Sequence, residues 1–115
     1  MKLVALVAIT AAAVVPAATA ATPVLYGTDG PGFTITLKKA STGTKVIKLR
    51  HGTYIFKISD KSKIHNFHLI GPDVNKKTLT PFVGKKTWTL TLHKGTYRYV
   101  CDLHKTFMKG SFIVT

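Results

Sequence analysis

The sequence predicts an all-β protein, a two-sheet Greek-key sandwich of seven or eight short strands. Almost every apolar stretch alternates with period two, turn signals recur at sandwich-like spacing, and no stretch carries the periodicity of a long helix. Period-two alternation sends successive side chains to opposite faces, so each stretch can bury one face and wet the other.

The first predicted strand sets Phe33, Ile35 and Leu37 against Thr34, Thr36 and Lys38. Ser41-Thr42-Gly43-Thr44 then reads as a turn before Val46-Ile47-Lys48-Leu49. His51-Gly52 leads into a strand from Thr53 to Ile58, and the polar break from Ser59 to Lys63 separates it from a strand from Ile64 to Ile70. Gly71-Pro72-Asp73 is a strong loop signal. The stretch from there to Gly84 holds Pro81, reads as irregular, and has room for one short helical turn. Trp88, Leu90 and Leu92 alternate with Thr87, Thr89 and Thr91; Lys94-Gly95 turns the chain into Thr96 to Cys101, and Ser111 to Thr115 closes it. The expected core draws on Phe33, Ile35, Tyr54, Phe56, Phe67, Leu69, Trp88, Leu90, Tyr97, Tyr99 and Phe112. There is no internal repeat, low-complexity segment or second domain.

Met1-Lys2, an apolar run from Leu3 to Ala18 and the small residues Ala18-Thr19-Ala20 predict a secretory signal peptide over residues 1–20, cut after Ala20. The run is short for a bilayer span and Pro16 interrupts it. No cysteine near the cut could carry a lipid, so the expectation is a soluble single domain over residues 21–115, secreted or held in the periplasm or cell envelope.

Charge is the second global feature. Seventeen Lys and Arg against four Asp and Glu give +13, and loss of Lys2 with the leader leaves +12. Such an excess implies acidic partners or surfaces. The lysines are spread in pairs (Lys38-Lys39, Lys76-Lys77, Lys85-Lys86), with no basic helix, zinc-finger spacing or RNA-binding signature, so no nucleic-acid partner is expected. An anionic envelope polymer or an acidic redox partner fits the charge equally well.

Cys101 is the only cysteine. In an exported chain a lone thiol cannot form an internal disulfide and must be paired elsewhere, left reactive or held by a metal. It stands in Tyr99-Val100-Cys101-Asp102-Leu103-His104-Lys105-Thr106-Phe107-Met108-Lys109-Gly110, and His65-Asn66 lies upstream. One thiolate, two imidazoles and a thioether are the donors of a type 1 copper centre: sulfur and two nitrogens form a trigonal plane, and the weak thioether above it tunes the potential. His65, Cys101, His104 and Met108 are therefore the candidate metal ligands, and one copper ion cycling between Cu(I) and Cu(II) is the expected cofactor. Zinc could use the same donors, although structural zinc usually recruits more thiolates. Asn66 is placed to brace the cysteine loop by a hydrogen bond. His68, three residues after His65, should point away from the site, and His51 and His93 fall at solvated turns.

With these motifs in view, the chain resembles the cupredoxin family of small blue copper proteins, in the manner of its plastocyanin-, pseudoazurin- and amicyanin-like members. The likeness rests on His65-Asn66, on Tyr99 to Phe112, and on Gly95-Thr96-Tyr97 before them. It implies a cupredoxin-like sandwich, copper bound by His65, Cys101, His104 and Met108, and transfer of single electrons through the exposed edge of His104. Three residues separate His104 from Met108, one fewer than in plastocyanin-like loops and one more than in the amicyanin loop, and Leu103 stands where many members have proline. Lys105 and Lys109 beside the port suggest a redox partner with acidic groups. The family likeness also implies a monomer.

A catalytic role is not expected. A Cys-His nucleophile pair needs an open cleft, whereas this cysteine ends a strand and its histidine follows on a tight loop. The expected function is electron transfer between extracytoplasmic redox partners; the alternative is copper sequestration or delivery without an electron-transfer role.

Overall fold

The computed structural model describes residues 1–14 and 20–115. The expected cleavage sequence lies outside the described residues except for Ala20, and among those described no helix is long and apolar enough to cross a membrane.

Among the described residues nine strands form two sheets, one more strand than the upper expectation: β1 Val24–Asp29, β2 Ile35–Lys39, β3 Lys48–Leu49, β4 Gly52–Asp60, β5 His68–Gly71, β6 Val74–Lys77, β7 Gly84–Leu92, β8 Gly95–Val100 and β9 Lys109–Val114. One sheet has the order β2-β1-β4-β7 and the other β3-β9-β8-β5-β6, so the architecture is the expected all-β sandwich. Most neighbours are antiparallel, while β1 runs parallel to β4 and β3 to β9, which marks chain crossings between sheets rather than simple hairpins.

Two strands escape the alternation rule. β1 turns Leu25, Gly27 and Asp29 inward, and only one of these is an apolar side chain. Gly27 is there because of a close approach: a Cβ would meet Ile58 at 2.6 Å and Phe67 at 2.9 Å. β6 pairs with β5 from His68↔Lys77 to Gly71↔Val74 and has only Val74 buried, so its sequence carries no apolar stripe. The helical turn allowed for this region does not form; Phe82 N–H donates to Leu79 C=O across a simple turn.

The core lies between the sheets. Phe67 stacks on Tyr99 with centroids 5.6 Å apart, and Tyr97 stacks on Phe112 at 5.3 Å. Each fully buried aromatic of this kind contributes about 2–3 kcal/mol by removing apolar surface from water. Tyr97 keeps its hydroxyl satisfied by donating to Pro72 C=O at 2.9 Å while accepting His93 N–H at 3.0 Å. Ile35, Trp88 and Leu90 only flank this core. Phe33 is not in it at all: strand β2 begins two residues later, and Phe33 is 57% exposed.

Register decides where the loops gather. Asp29 pairs with Asp60 and with Ile35, Gly84 with Asp60, and His68 with Val100 and Lys77, while Val100 pairs with Lys109. The loops 30–34, 61–67, 78–83 and 101–108 therefore share one end of the sandwich.

Candidate metal centre

His65 does not open a strand as expected. It sits in the loop before β5, because the backbone around it finds other partners: His65 N–H donates to Ser62 C=O at 3.2 Å, and Phe67 N–H donates to the Thr78 hydroxyl at 2.9 Å. Phe67 C=O in turn accepts Thr78 N–H at 3.0 Å. These bonds replace a ladder and hold the imidazole at the end of the sandwich.

Cys101 follows the last residue of β8, and the loop after it is a pair of tight turns. His104 N–H donates to Cys101 C=O at 3.0 Å, and Met108 N–H donates to His104 C=O at 2.9 Å. Cys101 N–H then closes the loop on Met108 C=O at 3.0 Å. A turn closed by an i to i+4 bond needs three residues between its ends, which accounts for the intermediate spacing of His104 and Met108.

These elements bring three donors together. His65 Nδ1 lies 3.2 Å from His104 Nδ1, and Cys101 Sγ lies 3.8 Å from the first and 3.5 Å from the second. Among the described residues this is the one grouping of His, Cys, Asp and Glu side chains able to hold a metal ion. An ion about 2.0–2.3 Å from nitrogen and sulfur donors, in the plane of three of them, calls for donor separations of about 3.5 Å. The observed triangle fits that requirement. His65, Cys101 and Met108 are fully buried, and His104 is partly exposed. No carboxylate belongs to the cluster, so soft thiolate and imidazole donors define it, which favours copper.

The surroundings fix these donors in two ways. Asn66 is the brace the sequence suggested: its Oδ1 accepts Asp102 N–H at 2.8 Å, and its Nδ2 donates to Asp102 Oδ2 at 2.8 Å and to Thr78 C=O at 3.2 Å. The loop holding His65 is thereby tied to the residue after Cys101. His68 stays out of the cluster, as expected, but it is not idle: Nδ1 meets Asp102 Oδ1 at 2.8 Å and Nε2 meets Asn75 Oδ1 at 2.6 Å. Burial pushes the Asp102 carboxyl upward, but hydrogen bonds from His68 and Asn66, together with the charges of His68 and Lys105, outweigh it and hold the group below its ordinary value. His93 is exposed and 3.9 Å from Asp73, and exposed His51 bonds Thr115 C=O at 2.9 Å.

His65 Nε2 is buried with no hydrogen-bond partner. Packing must therefore set the ring's orientation. Gly30, at φ +69°, brings backbone so close that a Cβ would lie 3.2 Å from His65 Cδ2. Phe33 meets His65 edge-on at 5.2 Å, His104 at 5.1 Å and Phe107 at 5.8 Å. The expected core residue is thus a cover over both imidazoles, placed by the loop between β1 and β2. Phe107 also meets His104, at 5.4 Å, so two half-exposed phenylalanines flank the partly exposed imidazole. In sequence Phe33 reads as one more residue of the Ile35 and Leu37 alternation, and Asp102 and Thr78 carry no signal beyond their neighbours.

A family model described as the cupredoxin-like domain matches residues 3–114. The chain belongs to the cupredoxin family. Reduced rusticyanin superposes with a TM-score of 0.60 at 21% identity, covering 85% of this chain and 82% of that one. Rusticyanin from Thiobacillus ferrooxidans gives 0.55 at 21% identity, over 84% of this chain and 79% of its own. Auracyanin from the photosynthetic bacterium Roseiflexus castenholzii gives 0.53 at 19% identity, over 84% and 99%. At such identities the likeness is one of fold. No curated protein sequence matches the chain. One type 1 copper ion is the cofactor that the donor cluster of this cupredoxin fits.

Proposed function

We propose that this cupredoxin is an exported electron carrier, passing single electrons between extracytoplasmic redox proteins. In this reading His65 Nδ1, His104 Nδ1 and Cys101 Sγ would hold a copper ion strongly and the buried Met108 thioether would be a fourth, weaker donor. A copper ion held there supplies one-electron chemistry between Cu(I) and Cu(II). Everything else is done by the chain. The two sheets and the closed loop from Cys101 to Met108 keep the donors in one arrangement, which limits reorganisation when the charge of the site changes. Phe33 and Phe107 flank His104, the one of the donor residues whose edge reaches the surface, so that edge serves as the port.

The converging triangle of two imidazole nitrogens and one thiolate sulfur carries this reading. Burial of Cys101 and Met108 supports electron transfer over copper delivery, since a handover would need the thiolate to be reached by an acceptor. The apolar run from Leu3 to Ala18, ending in the small residues Ala18-Thr19-Ala20, supports export. Two measurements test the proposal. The Cu(II)-loaded protein should show an intense visible thiolate-to-copper charge-transfer band, and its voltammetry should be rapid and reversible. A missing band sinks the blue-copper assignment; a band without reversible voltammetry makes copper handling the better answer. Mass spectrometry of the exported protein should find a mature chain beginning at Ala21.

A further inference from the structure

A cationic groove runs along the outer face of β5, β8 and β9, beside the ligand loop. It encloses about 600 Å³ and is rimmed by Lys45, Arg98, Lys105 and Lys109, with Ile70 and Val100 providing apolar surface. All four cations are exposed. Among the described residues the ion pairs are His68–Asp102 and His93–Asp73, and neither involves a lysine or arginine. Asp102 is the one acid lining the groove, and its oxygens are already taken by His68 and Asn66. Lys45, Arg98 and Lys109 therefore make no ion pair among the described residues, and Lys105 shares only the charge of an Asp102 already bonded elsewhere.

We propose that this groove is the docking surface for a carboxylate-rich segment of a redox partner, an inference that rests on the electron-carrier reading. Four cations spread along a groove of three strands, with Ile70 and Val100 between them, suit the spaced carboxylates of an extended acidic segment better than a single compact phosphate. The position argues for function, because Lys105 follows His104 and Lys109 follows Met108, so a partner seated here lies against the ligand loop and next to the port. Exposed ion pairs are individually weak and screened by salt. Docking through them is fast to form and fast to release, and charge steering raises association rates about tenfold or more. Carboxylates in the groove also favour the more positive Cu(II) state, so docking lowers the potential, and by linkage the oxidised carrier binds more tightly.

A second groove of about 500 Å³ on the other sheet, with Lys57, Lys61, Lys85 and Lys86, provides an internal control. The test is titration of a hexaglutamate peptide into the copper-loaded, isotopically labelled protein at low and physiological salt. Amide shifts should be confined to β5, β8, β9 and the Cys101–Met108 loop, and the midpoint potential should fall as peptide binds. Lys45→Gln/Arg98→Gln, which leaves the neighbours of the ligands untouched, should weaken binding about fivefold, and Lys57→Gln/Lys85→Gln less than about twofold. Both remove two charges, so the contrast reads location and not net charge. Equal weakening in the two variants, shifts spread over both sheets, or no binding of the peptide where tripolyphosphate binds would each overturn the proposal. The visible band and voltammetry of the same samples without peptide report separately on the electron-carrier reading.

Discussion

The loops 101–108 and 30–34 meet over the same pair of histidines and are built to opposite plans. The first carries Cys101, His104 and Met108 and is stitched by backbone bonds from His104 to Cys101, from Met108 to His104 and from Cys101 to Met108. The second supplies no donor atom; it is closed by Gly30 N–H on Thr34 C=O at 2.9 Å and lays the ring of Phe33 across His65 and His104. Coordination and access are thus assigned to different elements of the chain, and substitutions should separate them.

The largest effect belongs to the first loop. Cys101→Ser should abolish the visible charge-transfer band, since the hydroxyl offers no thiolate sulfur to the ion, and absorption spectra of the Cu(II)-loaded variant check it. A band of wild-type intensity would remove Cys101 from the ligand set. Met108→Leu should act more gently: the band survives, and loss of a weak donor to Cu(II) raises the midpoint potential by roughly 60 mV, the equivalent of about 1.4 kcal/mol for one electron. Loss of colour equal to that of Cys101→Ser would mean that the thioether is no secondary ligand.

The contrast between the loops also explains what could be read from sequence. Copper accepts few donor types, so Cys101, His104, Met108 and His65 stand out wherever they fall, and the alternation of β4, β7, β8 and β9 places them on a sandwich. Asn66 was legible as a brace because it adjoins a ligand. The partners that complete the end were not. Phe33 continues the alternation of Ile35 and Leu37, and nothing in that pattern says that pairing with β1 begins only at Ile35. β1 itself is hidden because Gly27 and Asp29 occupy inward positions, one for closeness and one for a buried polar contact. His68 lies outside the donor cluster, and its bond to Asp102 depends on the pairing of His68 with Val100, a long-range fact.

The cover loop should yield a smaller effect than either ligand. Phe33→Ala keeps all donors and should keep the band, while opening His65 and His104 to water. Water stabilises the more highly charged state, so the midpoint potential should fall by roughly 20–50 mV, and lost aromatic contacts should destabilise the fold by about 1 kcal/mol. Voltammetry beside thermal unfolding reads both. If the potential holds while stability drops, Phe33 is packing alone and the division of labour between the loops is weaker than drawn.

The smallest effect on the metal, and the one that isolates the root of the cover loop, comes from Asp29. This residue and Asp60 are fully buried and face each other in register at the ends of β1 and β4. Asp60 accepts the Thr78 hydroxyl at 3.0 Å and Ser62 N–H at 3.3 Å, whereas neither Asp29 oxygen has a donor. Two carboxyl groups can bond only through a shared proton. Burial first, then the hydrogen bond to Asp60 and its charge, push Asp29 up from 3.8 to about 8. Below pH 3.8 folded and unfolded chains both hold this proton and its contribution to stability is complete; as pH rises toward about 8 the unfolded chain releases it while the folded chain keeps it, so stability falls. Asn at this position stays neutral at every pH and can donate to Asp60 as the proton does. Asp29→Asn should therefore match the wild type near pH 4, flatten the decline between pH 4 and 8, and be more stable at pH 8 by about 1–2 kcal/mol. Its visible band should be unchanged. Urea unfolding across that range decides the matter: a variant that declines as steeply as the wild type would show that the proton shared by Asp29 and Asp60 is not what the fold loses, and that the cover loop is rooted in something other than this pair.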